Sequence, residues 1–168
     1  GFITRIPATL KLVAQVISQA LQWDTWQPVD HNTRYQPLTL FHYGMAQRWL
    51  VVYSQAALER AEATLKKATQ REHEAITKQL FHLQAQRFCT PQAAQDALAA
   101  LAKRWQYHRV ESSHLTEHKR YAGTGRPTPS MPLKALEWQI QVHVHGDDEA
   151  RERAKHTKAC YVLGTNID

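Results

Sequence analysis

The chain has 168 residues, 43% of them hydrophobic, a formal charge of +6 and two cysteines. That apolar content and length permit a packed core and argue against disorder. The longest apolar runs are far too short to cross a bilayer, and the well-separated Cys89 and Cys160 argue against a disulfide framework and fit a reducing cytoplasm. The basic balance, to which ten histidines add below neutral pH, suits a polyanion such as nucleic acid, and is also that of many ordinary basic domains.

Phe2–Ile6 reads as a strand entered midway and ending at Pro7, as expected of an interior stretch of a larger protein. A helix opens at Ala8 or Thr9 and carries Leu10, Val13, Val16, Ile17 and Leu21 on one side. Trp23 and Trp26 begin a polar loop in which Pro28 and Pro37 bracket the turn formers Asp30, His31 and Asn32.

The strongest local signal runs from Pro37 to Arg87. Leu38, Leu40 and His42 alternate with Thr39, Phe41 and Tyr43, Gly44 with Met45–Gln47 supplies a short hairpin loop, and Trp49–Tyr53 is an apolar run that fits a strand buried on both faces. Ser54 can cap a helix beginning just after it. Leu58, Ala61, Leu65, Ala68, Ile76, Leu80 and Leu83 recur at mostly three- and four-residue steps, and no Gly or Pro interrupts Ala56–Arg87. At 1.5 Å per residue this helix is roughly 45 Å long. Its narrow, partly Ala stripe asks for one partner helix.

Thr90 followed by Pro91 is a helix start, and 91–104 presents Ala94, Ala97, Leu98 and Leu101 inward. The two helices are expected to form an antiparallel hairpin over 56–104, the longer one projecting beyond its partner. Trp105–Val110 returns to strand and is expected to pair with Leu115–Tyr121 across a turn at Glu111–Ser113. Ala122–Pro132 is an exposed, mobile Gly/Pro loop. In 136–145, Leu136, Trp138, Ile140, Val142 and Val144 share one strand face and Glu137, Gln139, Gln141, His143 and His145 the other. Gly146 ends it, Asp147 caps a short helix to Lys158, and Ala159–Gly164 is a last strand, with Thr165–Asp168 close behind. The order implies an α+β fold with a mostly antiparallel sheet.

Candidate chemistry is sparse. His143 and His145 point to one strand face and could hold a metal, or simply sit on a wet face. Asp147, Asp148 and Glu149 could bind a cation, but also stand where a helix dipole favours carboxylates. Asp24 and Asp30 are not placed as two-metal phosphoryl chemistry requires, and Cys89 has no base nearby in sequence. No Gly-rich phosphate loop, HExxH or GxSxG occurs. Arg126, in an extended Gly-Arg-Pro segment, suits a minor groove. Lys66, Lys67, Arg71, Lys103 and Arg104 would give the helical hairpin a basic stripe, interleaved with Glu59, Glu62, Glu72 and Glu74 as on a solvated face.

Phe2-Ile3-Thr4-Arg5-Ile6-Pro7, Tyr43-Gly44, Gln47-Arg48-Trp49-Leu50-Val51-Val52-Tyr53-Ser54, the Glu/Lys arm, Gly125-Arg126-Pro127 and Leu163-Gly164-Thr165-Asn166 occur in that order. The ordered set resembles bacterial insertion-sequence transposases of the DDE class, in the group whose RNase H-like catalytic domain is interrupted by a large insertion. The resemblance implies that 1–28 is the end of the RNase H-like part, 29–158 the insertion with its helical hairpin, and 159–168 the return strand. It implies two catalytic aspartates before the first strand and a glutamate beyond the last, so none maps onto this chain; the Mg²⁺ of the full-length parent is held by those missing carboxylates. It implies a DNA-contacting role for Arg5, transposon-end DNA as partner, and a fragment inactive by itself. The alternative is a non-enzymatic interaction module whose long helix pairs with a partner helix or a second copy.

Overall fold

The computed structural model describes residues 1–123 and 125–166. Thr124, within the expected Gly/Pro loop, and Ile167 and Asp168, behind the expected last strand, lie outside the described residues. The elements in chain order are β1 (Ile3–Arg5), α1 (Lys11–Ala20), β2 (Gln27–Pro28), β3 (Thr33–His42), β4 (Met45–Ser54), α2 (Gln55–Ala85), α3 (Pro91–Ala102), β5 (His108–Tyr121), β6 (Leu133–Gly146), α4 (Asp148–Lys158) and β7 (Cys160–Thr165). The fold is α+β, and the paired strands among the described residues run antiparallel. The chain forms two compact units, Gly1–Lys67 with the stretch from Glu149 onward, and Ala68–Asp148. These divisions fall inside α2 and at the start of α4, whereas the sequence reading divides the chain at 28/29 and 158/159.

The first unit is a five-stranded sheet in the order β1-β7-β4-β3-β2. Central β4 carries the apolar run, and both of its alternating sets are buried: Trp49 (2% exposed) and Val51 (0%) pack with Val162 against Val13, Val16, Ile17 and Ala20 of α1, while Val52 is buried too. The β3–β4 hairpin differs from expectation at its loop. Tyr43 and Gly44 alone make the turn, both with positive φ (51° and 73°), and pairing resumes at once between His42 and Met45. Positive φ at both central residues matches the twist of the strands, and glycine takes it without a steric penalty. Nor does Pro37 end a loop. β3 already starts at Thr33 and runs through it, Pro37 lying opposite Leu50. Proline is tolerated because β2 pairs with β3 only at Arg34 and Tyr35, so Pro37 has no neighbour on that edge needing its missing N–H. Arg34 lies over the rings of Tyr53 (4.5 Å) and Trp26 (5.2 Å).

β7 lies between β1 and β4, Gly164 facing Trp49 across one pair and Thr4 across the other. A Cβ at Gly164 would meet Ile6 Cδ1 at 2.9 Å, so a larger residue here would require the Ile6 side chain to shift. Ser54 caps α2 through a bond from the Ala57 N–H (3.4 Å). The opening of α2 is not a bare arm: Ala61 and Leu65 are buried within this unit, and Glu62 bonds Lys155 of α4 at 3.4 Å.

The second unit packs the rest of α2 and α3 on one face of the β5–β6 ribbon. Ile76, Leu80 and Leu83 meet Ala94 and Leu98 over Ile140 and Val142. The Thr90 hydroxyl accepts the Ala93 N–H at 3.1 Å and Pro91 opens α3, as the sequence anticipates. The chain then folds back, so that Trp105 Nε1–H donates to Gln79 of α2 at 3.4 Å. The expected pairing of 105–110 with 115–121 does not occur. Glu111–Ser113 is no turn; the register shifts between Val110 and Ser112, a bulge in one long strand whose partner along its length is β6. A chain segment of extended backbone can absorb one extra residue without reversing, and polar residues there resemble a turn in sequence. Phe88 adds a bridge to Trp138 on the outer edge of β6.

Candidate nucleic-acid interface

In the first unit, Arg5 on β1, Arg60 on α2 and Lys158 at the end of α4 line one open groove, with Thr64, Tyr161 and Cys160 beside them. Ala57 and Ala61 present small side chains on the lining face of α2, which keeps the groove open. The Arg5 guanidinium lies 5.2 Å from the centre of the Tyr161 ring, which orients the charge without neutralising it. Among the described residues no carboxylate lines the groove, and none of the three cations has an ion-pair partner. Lys158 sits in the last turn of α4, where the helix dipole favours a cation.

Lys155, one turn earlier, shows the contrast. It donates to Glu152 at 2.8 Å and lies 3.4 Å from Glu62. The Glu152 bond above all raises its pKa, and the same bond lowers that of Glu152. The Cys160 thiol is pushed up to about 12 by burial, with Arg34 opposing weakly, so it stays protonated and adds no negative charge to the groove.

Of the residues expected to contact DNA, only Arg5 belongs to this groove. Lys66 and Lys67 are exposed one to two turns further along α2, within the same unit. Arg71, Lys103, Arg104 and Arg126 are exposed in the second unit. Arg60 and Lys158 were not among the expected contacts. Arg60 reads in sequence as polar filler, and the available signal was the small face Ala57–Ala61–Thr64 that flanks it.

Glu72, expected on a solvated face, is only 16% exposed at its side chain and serves as an anchor. Its carboxylate accepts the backbone N–H groups of Gln106 (2.6 Å) and Tyr107 (2.8 Å) and meets His108 Nδ1 at 2.7 Å. Burial alone would raise its pKa, but the His108 and backbone hydrogen bonds outweigh burial and hold it below 4.5. His73 lies against His108, ring centres 5.5 Å apart.

The metal candidates do not gather. Among the described residues no group of three His, Cys, Asp or Glu is placed to hold a metal ion. His145 Nε2 accepts from Arg109 Nε at 2.8 Å, and His143 is exposed opposite Ser112. Asp30 accepts the Asn32 N–H at 2.7 Å, which lowers its pKa and makes it a turn residue. Glu149 lies 3.7 Å from Arg153, one turn on in α4. No described helix is long and apolar enough to cross a membrane. The chain matches no family model, no curated protein and no solved structure.

Proposed function

We propose that this chain is an interior part of a DDE-class insertion-sequence transposase, gripping transposon-end DNA and scaffolding a cleavage and strand-transfer centre whose carboxylates lie elsewhere. The observation that carries the reading is the groove of Arg5, Arg60 and Lys158, three cations from three elements with no carboxylate beside them among the described residues. Such a site suits phosphate oxygens, which fix position without reading sequence. The ordered short motifs supply the family.

The strand layout is compatible with an inserted segment, which must leave and rejoin its parent sheet side by side. β1 and β7 are paired neighbours, Ile3 opposite Thr165, and Asn166 Oδ1 accepts the Phe2 N–H at 2.7 Å. In this reading the β1–β7 pair is the edge shared with an RNase H-like part. The donor set of this stretch does not fit the Mg²⁺ of that chemistry, since no three carboxylate or imidazole groups converge among the described residues. In this reading the chain's own work is to bind and orient DNA.

A titration with duplex DNA at 50 mM and 200 mM salt tests this. Three phosphate contacts predict about a 40-fold loss of affinity between them. Tight binding that ignores salt, or no binding at the lower concentration, contradicts it.

A second reading, a non-enzymatic helical-arm module that forms a homodimer, has Phe81 in its favour, 72% exposed on α2. Light scattering that shows a dimer lost on Phe81→Ala would favour it.

A further inference from the structure

The ribbon of the second unit has two unlike faces. Val110 with Val144 and Leu115 with Ile140 point to the helices, and Ile140 is fully buried. On the opposite face the cross-strand pairs are Arg109 with His145, Ser112 with His143 and His114 with Gln141. Five of these six are exposed, and His145 is half-buried. Further along, the same face is occupied: Gln139 binds the Gln84 carbonyl and His118, and Glu137 lies 3.4 Å from Arg120. The paired positions of the open stretch thus hold no apolar side chain and no carboxylate, and the exposed Glu111, unpaired at the bulge, stands beside Ser112.

We infer that this stretch of β5 and β6 enters the major groove of duplex DNA and reads base edges. The inference rests on the DNA-binding reading above and gives it a second contact of a different kind. A two-stranded ribbon fits a groove about 12 Å wide. A surface built for phosphate or for an acidic peptide needs cations, and this one has a single arginine in its six positions. It offers instead serine, glutamine and imidazole, which both donate and accept. Base edges are the polyanion feature that presents donors and acceptors side by side, and glutamine and arginine are side chains that pair with them in two-bond fashion. The bulge at Val110/Ser112 adds right-handed twist at the end of the face, which lets the ribbon follow the groove. Base readout by the ribbon is a contact of a different kind from the phosphate grip proposed for the first unit.

The test is selection from a pool of short random-sequence DNA duplexes by the whole chain, with sequencing of the bound fraction and a salt titration on the winners. The native chain should enrich a short motif. The double variant His114→Ala/Gln141→Ala should lose about tenfold in discrimination at adjacent base pairs with an unchanged salt slope. Arg60→Ala should keep the motif and lower the slope. Ser112→Asp, an exposed change that leaves the melting midpoint unmoved, should suppress enrichment by placing a carboxylate against the bases. A motif identical in the native chain and the double variant overturns the inference. So does native binding that is salt-dependent but indifferent to sequence, and in that case the phosphate grip still stands. Failure of the native chain to retain any duplex at low salt overturns both.

Discussion

The five-stranded sheet and the two-stranded ribbon bury their central strands in different ways. In the first unit β4 is flanked by strands on both edges and loses both faces to packing, with Trp49, Val51 and Val52 all buried. The groove of this unit is assembled from β1, α2 and α4. In the second unit β6 buries one face under helices, and its other face keeps a regular row of polar side chains. A core strand covered on both sides yields a site by convergence of remote residues. A strand covered on one side yields a site by simple alternation.

Substitutions that attack each core separate these two architectures. Trp49→Ala removes the largest fully buried side chain of the sheet and should cost about 4 kcal/mol, read as a lowered urea midpoint by circular dichroism. Ile140→Ala should cost about 3 kcal/mol, because a one-sided core collapses more readily into the space left; hydrogen exchange should show the loss in β5 and β6. Glu72→Gln should cost about 2 kcal/mol at neutral pH, since the carboxylate satisfies two backbone N–H groups and a histidine. Its folded pKa lies below the ordinary 4.5, so its contribution is complete above that pH and fades as pH falls through the lowered value. The variant should therefore show a flatter stability profile below pH 4.5, measured by urea melts across acid pH. Thr90→Ala removes the cap of α3 and should cost about 1 kcal/mol in the same melts.

Local signals carried most of the fold. The apolar run of β4, the long helix, the Thr90–Pro91 start and the alternation in β6 all depend on neighbours in sequence, and they stand where the residues put them. The misreadings arose where a distant partner decided the outcome. Pro37 stays in a strand because β2 stops short of it. Glu111–Ser113 is a bulge because β6, far along the chain, continues to pair past it. Glu72 is an anchor because the chain after α3 returns to it with two unpaired N–H groups. The groove follows the same rule: Arg5 was legible from its strand-end motif, but Arg60 and Lys158 join it only through tertiary packing. The ribbon face was legible as alternation, without a sign of which residues would remain open.

The groove is tested most directly by the salt dependence of duplex DNA binding by the native chain and by the variant Arg5→Ala/Arg60→Ala/Lys158→Ala. If the three cations neutralise three phosphates, the slope of log K against log salt should shrink by about 2.7 in the variant. An unchanged slope, with DNA still bound, would place the grip elsewhere on the molecule and contradict the groove's role.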